Sequence, residues 1–283
     1  FMLSLGYLLQ RLHVVEEKVF DGITTLMFQV MLPVHLFLDI SGTSIEESFH
    51  PKLMALGAGG IFLYALIAMI VIPRLEKDNF KRGAMVQACF RSNFVLFGIP
   101  IAETLYGPAA MGAAAMLITV VVPLLNVLSV TCLEFFRGGK PNGKKILLGI
   151  AKNPLIISSL LGVLVLLSGI QVPSLLQSSL KQVGSVATPM AIIALGGTFH
   201  FSALRGNMKQ LCICVGSKLV VMPLLFFLAG IAMGLRGLEL SVLLGVSATP
   251  VAVSSFPMAQ KMGSDGELAG QAVVFTVLLS IIT

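Results

Sequence analysis

Residues 91–107 read Arg-Ser-Asn-Phe-Val-Leu-Phe-Gly-Ile-Pro-Ile-Ala-Glu-Thr-Leu-Tyr-Gly and lie inside a hydrophobic stretch of membrane length. Within it stand a cation (Arg91), an amide (Asn93), a Gly98-Ile99-Pro100 interruption and an acid (Glu103). Proline lacks an amide hydrogen, and its ring collides with the carbonyl four residues back. An apolar helix therefore rarely keeps one for packing alone. Non-helical backbone at membrane depth survives only where protein or a water-filled cavity covers it. A broken helix also bares N–H groups and a partial positive charge, a ready site for an anion. A second stretch of this kind, Ser247-Ala-Thr-Pro-Val-Ala-Val-Ser-Ser-Phe-Pro257, carries Thr249 and Pro250 later in the chain. Two interrupted segments in corresponding places of two halves point to the binding site of a secondary transporter.

Other polar residues sit where hydrocarbon is expected. Lys218 lies about 10 residues from either end of its segment, roughly 15 Å, which is far for a lysine stem to reach an interface. It is read as a functional cation or half of a buried pair, with snorkelling as the alternative. Arg91 is shallower, and snorkelling and function are equally open to it. Both cations favour an anionic ligand or buried counter-charges. Asp39 closes its segment and is either such a partner or an interfacial acid. Glu103 is either a coupling-ion group or a solvated loop acid. Asn93 needs hydrogen-bond partners if buried, from a ligand or a neighbouring helix. Asn153, directly before Pro154, could cap a helix or bind a ligand. Of the four histidines only His35 falls within a segment. The four cysteines read as small buried hydrophobes rather than as a metal or disulfide set. No cofactor or metal is expected.

The elements that must position these groups are helices in a membrane. Only 11% of the 283 residues are charged and 56% are hydrophobic, against about 25% charged in soluble domains. Mean hydropathy is +0.96. The net charge of +6 is spread over short loops, which argues against nucleic acid as a partner. Neither a cleavable signal peptide nor a separate soluble domain is expected from these residues. The chain opens on Phe1 rather than Met, so residues are expected to be missing ahead of it.

With about 20 apolar residues needed per span, ten segments can be drawn, at 1–10, 19–40, 53–73, 83–105, 109–135, 146–169, 173–199, 208–234, 238–260 and 266–283. The first is too short to span. Odd-numbered loops hold Arg11, Lys18, Arg74, Lys77, Lys81, Arg82, Arg137, Lys140, Lys144, Lys145, Arg205, Lys209 and Lys261, whereas even-numbered loops hold only Lys52 and Arg236. Basic loops stay in the cytoplasm. The bias puts both termini outside and loop 137–145 inside. That loop separates residues 1–136 from residues 146–283. Five segments per half is an odd number, so the second half is inverted relative to the first. Leu32-Pro33 against Thr188-Pro189, and Ile99-Pro100 against Thr249-Pro250, support the repeat. Glycines such as Gly57, Gly196 and Gly197 are expected to permit close helix packing.

Four motifs, in order and covering nearly the whole chain, resemble the auxin efflux carrier family, which includes bacterial members and the plant auxin carriers. They are Asn93-Phe-Val-Leu-Phe-Gly-Ile-Pro-Ile with Tyr106-Gly107, Asn153-Pro154 with Ser158-Ser-Leu-Leu-Gly162, Gly234-Leu-Arg-Gly237, and Ala248-Thr-Pro250 with Ala259 and Lys261. The resemblance implies an all-α polytopic fold of ten helices in two inverted five-helix repeats, with broken crossover helices four and nine. It implies a scaffold part, a transport part and elevator-like movement of organic anions. It also implies that Asn93 and Asn153 hold a carboxylate near the breaks at Gly98, Ile99 and Pro100 and at Thr249 and Pro250. Two departures stand out: the short loop 137–145, where plant carriers have a long hydrophilic one, and Thr249, where they have an apolar residue. A bacterial-type carrier of small carboxylates, auxin-like or dicarboxylate, is the reading these favour.

The expected protein is thus a multi-pass protein of the plasma (inner) membrane, meeting an organic anion and the lipid bilayer, with a homodimer as one assembly open to it. A transporter-shaped sensor that binds without turnover is the alternative. An intramembrane enzyme would need facing aspartates, a Gly-x-Ser-x-Gly serine or a His-Glu-x-x-His zinc site, and the sequence holds none of these.

Overall fold

The computed structural model describes residues 1–43, 50–107, 109–138 and 143–282, and its regular elements there are helical. In chain order these are α1 (Met2–Arg11), α2 (Glu17–Ser41), α3 (Pro51–Leu75), α4 (Asn79–Phe90), α5 (Phe94–Tyr106), α6 (Ala109–Phe136) and α7 (Gly143–Lys152). They continue with α8 (Pro154–Ser168), α9 (Ser174–Ser185), α10 (Ala187–Gly197), α11 (Leu204–Ala232), α12 (Gly237–Ser247), α13 (Ser255–Lys261) and α14 (Gly266–Leu279). Helices α2, α3, α6 and α11 are each long and apolar enough to cross a bilayer, and α7 with α8 forms a fifth candidate bent by 58°. Many of their large apolar side chains, among them Leu63, Ile70, Leu164 and Leu224, are exposed. That surface suits a hydrocarbon surround.

The helix ends follow from local chemistry. Asp78 caps α4 by accepting from the Phe80 amide at 2.9 Å, and Asp265 caps α14 by accepting from the Leu268 amide at 2.8 Å. Gly107 and Gly169, both at positive φ, end α5 and α8. Prolines within the helices act differently from the interruption expected of them. Pro33, Pro100 and Pro223 each follow a widened π-type turn, at Met27–Met31, Phe94–Gly98 and Ser217–Val221. In these turns the amides of Leu32, Ile99 and Met222 bond five residues back, to Met27, Phe94 and Ser217. The extra residue gives the proline ring room where an α-turn would clash. The helix therefore runs through Gly98-Ile99-Pro100. The expected break moves upstream to Arg91–Asn93, between α4 and α5. The second break, residues 248–254 between α12 and α13, does contain Pro250.

The helices sort into two groups. Helix α10 packs on α1 and α2, and α2 also packs on α8 and α9. Helices α3, α4, α5, α6, α11, α12, α13 and α14 pack among themselves; between the two groups, α6 touches α2 and α8, and α13 touches α2 and α10. The α1–α10 crossing is close because glycines line it: a Cβ on Gly6 would stand 2.0 Å from the Ile193 carbonyl, and one on Gly196 2.1 Å from that of Leu3. At one end of the molecule Lys81 donates to Asn207 at 2.8 Å, Gln210 to Glu76 at 2.6 Å and Ser264 to the Phe80 carbonyl at 2.8 Å, while Lys261 pairs with Asp21. At the other end His50 bonds Glu239 at 2.7 Å and Lys52 bonds the Met233 carbonyl at 3.2 Å. Among these bonds, residues in or beside the odd-numbered loops meet only one another, and those in or beside the even-numbered loops meet only one another. Residues 44–49 and 139–142, including Ser44, Lys140 and Asn142, lie outside the described residues.

Candidate functional site

The two breaks are joined to each other. The Asn93 amide donates to the Pro250 carbonyl at 3.0 Å, and the Ala252 amide donates to the Arg91 carbonyl at 3.4 Å. Ser92 and Val251 thereby form an antiparallel bridge. Each unwound segment supplies the partners the other lost on leaving its helix, and this makes non-helical backbone tolerable at depth. Helices α5 and α12 meet beside this bridge at Gly98, where a Cβ would stand 2.5 Å from the Gly245 carbonyl.

Arg91 is 4% exposed and does not snorkel. Its Nη1 donates to the Ser129 hydroxyl at 2.8 Å and the Leu125 carbonyl at 3.3 Å. Its Nη2 donates to Asn126 Oδ1 and the Ser254 hydroxyl, both at 2.9 Å. Its Nε is buried without a partner. All the acceptors are neutral. A guanidinium out of water that forms no salt bridge among the described residues is costly, and an anion in the adjoining space would relieve that cost.

Such a space exists between the two helix groups, as a cavity of about 180 Å³. The first group lines it with Leu32, His35, Leu36 and Asp39 of α2, Leu155 of α8, and Thr188 and Ala191 of α10. The second lines it with the break residues Arg91, Ser92 and Asn93, with Phe94 to Leu96, with Val122, Leu125 and Asn126 of α6, and with Ala252, Val253 and Ser254. Asp39 lines this cavity and lies 3.5 Å from His35 across one helical turn. A neighbouring space of about 330 Å³ shares His35 and Asp39 and adds Lys181.

Of the residues singled out in the sequence, the structure brings Arg91, Asn93 and Asp39 to one cavity. The others stand elsewhere. Asn153 caps α8, accepting from the Leu155 amide at 3.0 Å. It lines a separate space of about 540 Å³ with Phe28, Arg137, Lys152 and Lys261. Gly98 and Ile99 are buried in helix packing, Thr249 is buried with its hydroxyl unpartnered, and Pro250 supplies the carbonyl that Asn93 uses. Pro100 and Glu103 are exposed on α5. Lys218 is fully buried, with no carboxylate among its hydrogen-bond partners in the described residues, so neither snorkelling nor a buried ion pair describes it. Cys212 is exposed and Cys214 buried, as their two-residue spacing requires. No group of metal-ligating side chains occurs among the described residues. Sequence reasoning missed Asn126, Ser129 and Ser254. They are ordinary in type, and only their convergence on Arg91 marks them.

A family model described as membrane transport protein matches residues 1–283. The chain belongs to that family, which is the auxin efflux carrier family. It is similar to transporters of microorganisms along its whole length. It is 23% identical over 292 residues to an uncharacterized transporter of Methanocaldococcus jannaschii, covering 99% of this chain and 92% of the other. It is 25% identical over 290 residues to a protein of Rhizobium meliloti named "Putative malonate transporter", covering 100% and 90%. A Methanothermobacter thermautotrophicus transporter is 24% identical over 287 residues, covering 100% and 92%. The family and these relatives are membrane transporters, not enzymes. The chain is accordingly a multi-pass membrane protein that carries a small molecule.

Proposed function

We propose that this protein is a secondary transporter of small organic anions, carboxylates in the first place, working by an elevator-type alternation of access. The observation that carries the reading is Arg91, a buried cation held among the described residues by neutral oxygens, at a cavity between two helix groups. The carboxylate sits against Arg91 and Asn93. The group containing both breaks carries it, and the group of α1, α2, α8, α9 and α10 is the scaffold. The fold behind this is ten spans in two inverted repeats, residues 1–136 and 146–283, whose broken fourth and ninth segments cross at the Ser92–Val251 bridge. Residues 137–145 face the cytoplasm and both termini face outside, in the plasma membrane of the cell.

Asn153 takes its part at the other end of the interface, in the cavity that also holds Arg137, Lys152 and Lys261, where the anion leaves once the carrying group has moved. The malonate in the name of the Rhizobium meliloti relative makes a dicarboxylate the first substrate to try. Flux of labelled malonate, and of a panel of mono- and dicarboxylates, into proteoliposomes tests the function. Uptake of one of them that disappears in Arg91→Ala supports it. Saturable binding without flux would make the chain a sensor, and no binding of any carboxylate would end the anion reading.

A further inference from the structure

Lys218 takes no part in the anion site: it does not line the cavity, and it is 0% exposed. It lies in the widened turn Ser217–Val221 of α11. Its ammonium donates to the Ser92 hydroxyl in the first break, to the Ser247 carbonyl at 2.9 Å and to the Met222 sulfur at 3.4 Å. Three N–H groups thus meet three neutral acceptors. Ser247 is the last residue of α12, so its carbonyl belongs to the negative end of a half-helix dipole. Carriers built on broken helices use unwound carbonyls and such half-helix C-termini to coordinate a coupling cation. Here the position is filled by the chain itself.

We propose that the Lys218 ammonium is a tethered cation standing where other broken-helix carriers bind a metal ion, so that this protein orders its two breaks without sodium. The inference rests on the carrier reading above. It makes Lys218 a positioning residue. By joining Ser92 to the end of α12 it sets the register of the two unwound segments, and hence the placement of Arg91 and Asn93 on either side of Ser92. A metal ion would have to bind and leave in each cycle, whereas a tethered ammonium holds the crossing together at every stage.

The test uses purified full-length protein and contains no organic anion, so its failure would leave the anion reading untouched. Thermal unfolding is followed in choline, sodium and methylammonium chloride at equal ionic strength. Wild type is expected to unfold at one temperature in all three. Lys218→Ala should unfold lower in choline and rise saturably with sodium or methylammonium, because a cation that binds only the folded state stabilises it by mass action. Lys218→Met, which refills the space without the charge, should stay low in all three, and Lys218→Arg should recover most of the loss. A wild-type Tm that rises with sodium would overturn the proposal, as would a Lys218→Met protein as stable as wild type in choline. So would a folded Lys218→Ala protein that gains nothing from either cation. If Lys218→Ala yields no folded protein, the wild-type and Lys218→Met measurements decide alone.

Discussion

At the scale of single residues, the site turns on how Arg91 is held. Four of its donors go to Leu125, Asn126, Ser129 and Ser254, so its position is set before any ligand arrives. Fixing a group in advance avoids an ordering cost on binding. Arg91→Ala is expected to weaken carboxylate binding by roughly 1.5–3 kcal/mol, the range for hydrogen bonds to charged groups. Arg91→Lys should bind more weakly than wild type, because an ammonium cannot span four acceptors on a helix and a break segment. Asn93→Ala should lose a similar amount and Asn93→Asp more, through repulsion of the anion. Asn153→Ala should act mainly through the lost cap of α8, costing about 1 kcal/mol of stability. Calorimetric titration of each purified variant with the transported anion checks these. Unchanged affinity in both Arg91→Ala and Asn93→Ala would put the anion elsewhere.

At the scale of elements, the unwound segments depend on each other. Arg91–Asn93 finds its backbone partners at Pro250 and Ala252, and the approach of α5 to α12 at Gly98 and Gly245 holds these partners in reach. Gly98→Val would drive a branched side chain into the Gly245 carbonyl. Overpacking of this kind costs about 1–3 kcal/mol, and the displaced α5 would take Asn93 with it. The expected result is folded protein with a lowered Tm and a larger loss of anion affinity than the stability change explains. Gly59→Ala in α3, where a Cβ meets nothing within 4 Å, is the control and should lower neither. Equal effects from the two variants would remove the crossing from the account of the site.

At the scale of the whole molecule, loops of odd rank gather at one end and carry most of the basic residues. With that end in the cytoplasm, a cysteine placed at Lys77 should resist an impermeant thiol reagent in intact cells, and one at Gln171 should react. Both positions are exposed, and the background should carry Cys212→Ser because Cys212 is exposed as well. The opposite labelling pattern would invert the topology. Carriage of one uncompensated negative charge is worth about 2.3 kcal/mol per 100 mV. Transport of a monovalent carboxylate in proteoliposomes should therefore accelerate when the potential drives the anion out of its starting compartment. Independence from voltage would show that a compensating charge moves with it.

Composition and periodicity determined the class, because a bilayer admits few solutions: long apolar runs must become helices, and basic loops must stay on one side. The segments drawn from hydropathy begin and end within a few residues of helix ends, although four of the ten are each two helices in the structure, and the two stretches singled out for chemistry do meet. The exact place of the first break was not legible. Proline marks where a helix is strained, but a π-type turn absorbs that strain at Pro100, and the chain unwinds at Arg91–Asn93, where the Asn93 amide donates to the Pro250 carbonyl and the Ala252 amide to the Arg91 carbonyl across the two breaks. The site itself was decided by tertiary structure. Asn93 and Asn153 read alike in sequence, as amides open either to a ligand or to a structural role. One lines the cavity beside a buried arginine, and the other caps a helix by a different space. Lys218 and Arg91 likewise both read as membrane cations, open either to snorkelling or to an anionic ligand or counter-charge. Which of them meets a cavity, and which is spent on a helix terminus and a serine, depends on packing between residues far apart in the chain, which local sequence does not encode.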